Sequence, residues 1–178
     1  MKLRTAFLAM LAAGWLTAAA QGSVARFEFE GSVGFTQPIG RFVSDSWSLV
    51  RAFAFEVRFN FPYQPLDLGL EYYFGKTPRE HELLDWKARV MGYSVFMDYN
   101  FRRGKDFSPF VGAGVGLGVC KNVNGEAVGP EGQRMLFSPR LGIEFFRHVR
   151  LTAFARFAGR SYNHLGLSLG IVLGGGRR

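Results

Sequence analysis

Cysteine is almost absent from this sequence, which contains only Cys120. A single cysteine cannot form an internal disulfide, so no disulfide framework holds this chain together. We expect Cys120 to be a small buried hydrophobe, with a free thiol at a strand end as the alternative.

Long apolar runs are also missing once the N-terminal segment is set aside. That segment places Lys2 and Arg4 before an apolar run that ends in small residues. This order predicts a signal peptide over 1–20 and one mature domain over 21–178, with no cysteine at the new N-terminus to carry a lipid anchor. No later run approaches the roughly 18 residues that a membrane-spanning helix needs, which excludes a helical membrane protein.

The clusters that nucleic-acid, metal and nucleotide sites require are lacking as well. The formal net charge is +8, but Lys and Arg are dispersed over predicted strands and turns, so we expect no nucleic-acid partner. No group of His, Cys and carboxylates has metal-ligand spacing, and the acids of 122–131 are too sparse for a calcium loop. The repeat Gly112-x-Gly114-x-Gly116 lies inside a predicted strand with no helix after it, so no nucleotide loop and no cofactor are predicted.

The sequence is rich in strict alternation of large apolar residues with small or polar ones. In 53–61 every odd position is Phe or Val, and the even positions hold Ala, Glu, Arg and Asn. A period of two is typical of a strand with two different faces, and segments of about nine to eleven residues suit a tilted strand that crosses a bilayer. We therefore predict an all-β fold, an eight-stranded antiparallel up-and-down transmembrane β-barrel. The predicted strands are Arg26–Phe35, Leu49–Phe61, Leu66–Phe74, Arg89–Phe101, Pro109–Val119, Met135–Phe146, Arg150–Ala158 and His164–Leu173.

The volume of such a barrel decides which face points outward. Eight strands leave an interior only wide enough for side chains or one small ligand, whereas about five large apolar residues on each strand would fill far more space. The apolar face is therefore predicted to face lipid. The other face suits a narrow lumen, because one strand is almost bare glycine from Gly112 to Gly118, and Phe96, Phe110 and Phe154 are expected to lean over that bare strand.

The inward face also carries nearly balanced charge. It comprises seven acids and five arginines: Glu28, Glu30, Glu56, Asp67, Glu71, Asp98 and Glu144 against Arg26, Arg58, Arg140, Arg150 and Arg156. Unpaired charge in a confined lumen is costly, so we predict that arginines bridge carboxylates across the barrel and close it to solutes. The residues predicted for this lumen charge network are Glu30, Glu56, Arg58, Glu71, Arg140, Glu144 and Arg156. The alternative is a set of separately hydrated charges around trapped water.

Connection lengths predict the orientation, because long loops of outer-membrane barrels face outside and their short turns face the periplasm. Aromatic residues are expected to gather at both rims as interfacial girdles. In the second long connection, Thr77-Pro78-Arg79-Glu80 matches a helix capping box, which predicts a short outer helix. The apolar residues that follow, Leu83, Leu84 and Trp86, lie on the membrane interface in this interpretation, with an interaction patch for a partner as the alternative.

Three segments resemble the family of eight-stranded outer-membrane barrels that includes the OmpA transmembrane domain and OmpX. They are the glycine-rich strand at 107–116, which begins Phe-Ser-Pro-Phe, the strand at 138–144, and the terminal strand at 166–171. The resemblance implies a monomer in the outer membrane, in contact with outer-membrane lipid and lipopolysaccharide and assembled by the barrel-insertion machinery. Family members often end on an aromatic residue, whereas this last strand ends at Leu173.

Catalysis is the remaining question, since some barrels of this size act on lipid A. Ser161 and His164 are close in sequence, but their spacing does not match the His-x-Ser-Asn arrangement of lipid A deacylase barrels, and the sequence offers no clear orienting carboxylate. The sequence therefore favours a non-catalytic outer-membrane barrel whose loops have a structural or adhesive role. A lipid A modifying enzyme and a small-solute channel are the alternatives.

Overall fold

The computed structural model describes residues 25–39, 50–81, 84–122, 132–159 and 162–174. At positions 38, 50, 76–81, 84–89 and 120–122 only the backbone is described. Eight strands follow one another along these ranges. They are β1 (Phe27–Pro38), β2 (Val50–Asn60), β3 (Leu66–His81), β4 (Leu84–Asn100), β5 (Phe107–Asn122), β6 (Gly132–Phe145), β7 (Val149–Arg156) and β8 (His164–Leu173). The predicted signal peptide lies outside the described residues.

The strands form one closed antiparallel barrel in which each strand pairs with its neighbours in sequence. The barrel closes where β1 pairs with β8, in a register that runs from Phe29 opposite Leu173 to Pro38 opposite His164. Closure leaves no free edge along the paired stretch, which is what a sheet in lipid needs. The predicted fold class is confirmed.

Polarity across the wall is the reverse of that in a soluble barrel. The exterior side chains Phe55, Leu70 and Tyr93 are 62–67% exposed. The interior side chains Arg58, Asp98 and Arg150 are at most 1% exposed. An apolar outer band around a charged interior is the arrangement that lipid stabilises and water does not.

The ends of three strands that lie away from the short turns differ from the prediction. β3, β4 and β5 contain 16, 17 and 16 residues, whereas β7 contains 8. The predicted short helix is wrong, because the β3–β4 ladder continues to His81 opposite Leu84. Beyond Gly75 the described pairing of β3 is with β4, and Pro78 lies in that part of the strand, opposite Lys87. Pairing with β4 therefore overrides the local capping signal.

The opposite rim has short turns at 61–65, 101–106 and 146–148. Neighbouring rings pack edge-to-face along it, with centroids 5.2 Å apart for Phe27 and Phe59 and 5.7 Å apart for Phe107 and Phe145. These rings form the aromatic girdle expected at that rim. A search of the described residues for a helix long and apolar enough to cross a membrane finds none.

Candidate functional site: the buried ion network of the lumen

Strand register places most acids on one wall of the lumen and most arginines on the other. On β1 to β4, Glu30 lies opposite Glu56, Glu56 lies opposite Glu71, and Asp67 lies opposite Asp98. Like charges at such neighbouring positions repel one another unless cations lie between them. Arg140 on β6 and Arg150 and Arg156 on β7 supply these cations from across the barrel. Because most acids and most arginines lie on opposite walls, the arginine side chains must cross the lumen to reach their partners.

Arg140 is the central bridge. Its Nε and Nη2 atoms donate hydrogen bonds to the two carboxylate oxygens of Asp98, at 2.8 and 2.6 Å. Its Nη1 donates to Glu56 Oε1 at 2.7 Å and lies 3.7 Å from Glu71 Oε2. One guanidinium thus joins β6 to β2, β3 and β4, in the bidentate geometry that suits arginine and carboxylate.

Arg156 makes a second bidentate bridge. Its Nη1 and Nη2 donate to the two oxygens of Glu71 at 2.6 and 2.8 Å, and Nη1 also contacts Ser138 Oγ at 3.1 Å. The Ser94 hydroxyl donates to Glu71 Oε1 at 3.2 Å. Every oxygen of this buried carboxylate is therefore paired, which is the condition for burying it.

Arg58 is held differently. Its guanidinium is fully buried and lies 3.3 to 3.7 Å from carboxylate oxygens of Glu28, Glu30 and Glu144. None of its three nitrogens has a hydrogen-bond partner among the described residues. Arg150 links this group to the centre, since its Nη2 donates to Asp98 Oδ2 at 2.5 Å and its Nη1 lies 3.8 Å from Glu30. All seven residues predicted for the network therefore lie in the lumen within one chain of ion pairs.

Two assignments of charge need correction. Arg26 is exposed, because it precedes β1 and lies at the rim rather than in the lumen. Arg103 is buried instead, and it contacts Asp67, whose other oxygen accepts a hydrogen bond from Asn100 at 2.6 Å. Burial lowers the pKa of Arg103 to about 10, so its guanidinium stays protonated at neutral pH. The alternating pattern of the strands could not predict that Arg103 is buried, because Arg103 lies in the turn between β4 and β5.

Four aromatic rings lie against the guanidinium groups of three lumen arginines. Phe96, Phe110 and Phe154 lie against the bare backbone of Gly69, Gly142 and Gly166, rather than over the glycine-rich strand 112–118, the position predicted from the sequence. The guanidinium carbon of Arg140 lies 3.6 Å from the ring centroid of Phe96, and that of Arg150 lies 3.5 Å from that of Phe110. Arg156 lies 3.8 Å from the ring centroid of Tyr73 and 4.8 Å from that of Phe154. Each of these cation–π contacts favours the observed position of the guanidinium group over the ring.

Substitution of Gly142 tests this packing. A Cβ atom there would lie 2.1 Å from the Leu151 carbonyl oxygen and 2.7 Å from the Phe110 ring. We expect Gly142→Ala to lower the free energy of unfolding by about 1–3 kcal/mol. Gly118→Ala is the matched control, because its Cβ would meet nothing closer than 3.8 Å. Denaturant titration in detergent micelles measures both, and equal stabilities would contradict the packing described.

His164 is engaged inside the barrel. Its Nδ1 lies 2.9 Å from the Tyr162 carbonyl oxygen and its Nε2 lies 2.9 Å from the Tyr73 hydroxyl. Only an N–H can pair with the carbonyl, so Nδ1 donates, and Nε2 of the neutral ring accepts from Tyr73. The side chain is 2% exposed. Ser161 lies outside the described residues.

Leu83 lies outside the described residues, and Leu84 and Trp86 belong to β4 by their backbone, with side chains outside the described part. Within the described residues no group of three or more His, Cys, Asp or Glu could hold a metal ion. A lumen cavity of about 20 Å³, lined by Glu56, Glu71, Arg140 and Arg156 among others, has room for about one water molecule.

Comparison with known proteins defines the fold and no more. No protein-family model matches the sequence, and no curated protein matches it. Neisserial surface protein A (NspA) is similar in structure, with a TM-score of 0.61 and 16% identity over 85% of this chain and 99% of that chain. The N-terminal β-barrel domain of Pseudomonas aeruginosa OprF has a TM-score of 0.51 and 12% identity over 85% of this chain and 100% of that chain. The outer membrane enzyme PagL has a TM-score of 0.51 and 13% identity over 82% of this chain and 98% of that chain.

Because these sequence identities are low, the similarity shows the architecture of the chain but not its activity. The strand number, the closed antiparallel order and the apolar exterior agree with the resemblance found in the sequence. The chain therefore has the fold of the eight-stranded outer-membrane β-barrels.

Proposed function

We propose that this chain is a non-catalytic protein of the outer membrane, closed to solutes, which presents its tall β3–β4–β5 wall outside the cell as a structural or adhesive surface. Its apolar belt contacts outer-membrane lipid and lipopolysaccharide, and the barrel-insertion machinery assembles it as a monomer. The short turns face the periplasm in this proposal. Residues 1–20 act as a cleaved signal peptide.

The length of the outer wall is the observation that carries the proposal. A tilted strand needs about 9–11 residues to cross the hydrocarbon layer. β3 and β4 contain 16 and 17 residues. About six residues of each strand, or about 20 Å, therefore stand above the bilayer as a paired hairpin. A rigid projection of this kind is suited to contact with another surface rather than to chemistry within the membrane.

The contacts inside the lumen support the proposal that the protein neither transports solutes nor catalyses a reaction. Arg140 and Arg156 each reach across the barrel to carboxylates of β2 and β3, and the cavity that they line has room for about one water molecule. His164 has both ring nitrogens occupied inside the barrel, so it is not available to a substrate in the surrounding lipid.

Truncation of the hairpin tests the proposed role. Deleting 77–88 and joining the strands by a short turn should leave a barrel that inserts and shows heat-modifiable migration on a gel. We expect adhesion of cells expressing it to host cells or abiotic surfaces to fall to the level of a deletion strain. A deletion strain with altered lipid A acylation would instead support an enzyme, and unchanged adhesion of the truncated protein would contradict the proposal.

Conductance gives a separate prediction. In planar bilayers the wild-type protein should produce no steady single-channel current, because bridged charges fill the lumen. A barrel of known conductance, prepared in the same detergent, is the positive control. A large and steady current from the wild-type protein would support the channel alternative and reject the closed lumen.

A further inference from the structure

The three short turns are joined into one surface, which we name the turn face and define as residues 61–65, 101–106 and 146–148. Arg103 Nη1 donates hydrogen bonds to the carbonyl oxygens of Phe61 and Gln64, at 3.0 and 2.5 Å. The backbone N–H of Phe146 donates to the carbonyl of Asp106 at 2.8 Å. These bonds tie the β2–β3 turn to the β4–β5 turn, and the β4–β5 turn to the β6–β7 turn. The side chains of the turn face are therefore held side by side.

Two of these turns carry large residues in an unfavourable backbone conformation. The φ angles are +67° at Tyr63, +51° at Phe146 and +65° at Arg147. Glycine and asparagine occupy this left-handed region at lower energy than aromatic residues do. The two rings are also 95% and 69% exposed, so packing against the rest of the protein does not offset the strain. Backbone hydrogen bonds hold these turns, but the exposed rings add little to them, which points to a role for the rings outside the molecule.

Charge gives a second and independent indication. Arg102 and Lys105 of the turn face are exposed, and so is Arg26, whose backbone carbonyl is bonded to Asn60 at the same rim. Asp106 is the exposed acid of these turns, and it faces Arg147 at 4.0 Å. The described part of this rim therefore carries a net positive charge next to the aromatic girdle of the apolar belt.

We propose that the turn face binds the phosphate headgroups of anionic phospholipids in the leaflet that it meets. Its cations pair with the phosphates, while Tyr63 and Phe146 lie among the headgroups at the polar edge of the lipid, where aromatic rings are favoured. A soluble acidic polymer would satisfy the cations but leave both rings in water. The inference rests on the membrane placement proposed above.

The test compares full-length mature protein in vesicles of phosphatidylcholine alone and in vesicles with about one third phosphatidylglycerol. The readout is the midpoint temperature at which heat-modifiable migration is lost. We expect anionic lipid to raise the midpoint of the wild type by about 5 °C or more, and about 1 M sodium chloride to abolish most of that gain. Arg102→Gln with Lys105→Gln should keep the wild-type midpoint in phosphatidylcholine and lose most of the gain in anionic lipid.

Two further variants separate headgroup binding from general effects. Tyr63→Asn with Phe146→Asn should raise the midpoint in phosphatidylcholine, because it relieves the strain, and should reduce the gain in anionic lipid. Arg51→Gln removes an exposed cation at the opposite rim and should reduce the gain less per charge than the turn-face pair does.

Several results would overturn the inference. One is an inserted wild-type protein whose midpoint temperature does not rise in anionic lipid, and another is a double variant Arg102→Gln with Lys105→Gln that keeps the full rise. A third is an equal loss of the rise per charge with Arg51→Gln. The last is the same rise when soluble glycerophosphate is added to phosphatidylcholine vesicles. A protein that fails to insert into either kind of vesicle would overturn the proposed membrane placement as well.

Discussion

Arg140→Met should lower the free energy of unfolding by about 3–5 kcal/mol, the range found when one partner of a buried ion pair is removed. The loss is large because Asp98 and Glu56 are buried and each accepts hydrogen bonds from this one guanidinium. Asp98 retains Arg150 as a partner, but Glu56 would keep no hydrogen-bond donor among those described. Methionine fills similar space above Phe96, so the loss reports charge and hydrogen bonding rather than a cavity.

Two variants make this measurement specific. Arg102→Met removes an exposed arginine of the β4–β5 turn and should change stability by less than about 0.5 kcal/mol. Arg140→Met combined with Glu56→Gln should recover part of the loss, because the carboxylate that lost its partner is then uncharged. Denaturant titration in detergent micelles, followed by heat-modifiable migration, measures all three. An Arg140→Met protein as stable as Arg102→Met would contradict the ion network as a source of stability.

Leu70→Arg should lower the free energy of unfolding in lipid vesicles by about 2–4 kcal/mol. Leu70 faces outward, is 62% exposed, and pairs with Val57 and Val95 in the middle of the belt. At mid-depth in a bilayer the charged group of an arginine must reach water through hydrocarbon, which costs free energy. On a water-facing surface the same substitution would change the free energy of unfolding very little. Phe107→Arg is the control at the rim of the same belt, where about 0–1 kcal/mol is expected. Equal effects at the two positions would indicate that the outer face does not meet lipid.

Much of the fold was predictable because a period of two is a strong signal. Each strand carries it, and the volume of an eight-stranded barrel then decides which face points outward. The inward placement of residues such as Glu56, Arg58 and Arg140 follows from the same alternation.

The alternating pattern did not predict where β3 and β4 end, nor which arginine pairs with which carboxylate. Thr77-Pro78-Arg79-Glu80 satisfies a local capping rule, but the ladder between β3 and β4 adds backbone hydrogen bonds that a short helix would lack. Which carboxylate pairs with which arginine depends on the distance across the lumen and on strand tilt, which a one-dimensional pattern does not contain. Arg103 enters the lumen from a turn, where alternation gives no information.

The central claim is that lipid surrounds the Phe- and Leu-rich outer face of a charged, closed barrel. Refolding of the purified mature chain tests it most directly, with and without detergent or lipid. In micelles or vesicles we predict a monomer that migrates faster on a gel before heating than after, and without any amphiphile we predict aggregation. A folded, monomeric protein in plain buffer would contradict the account.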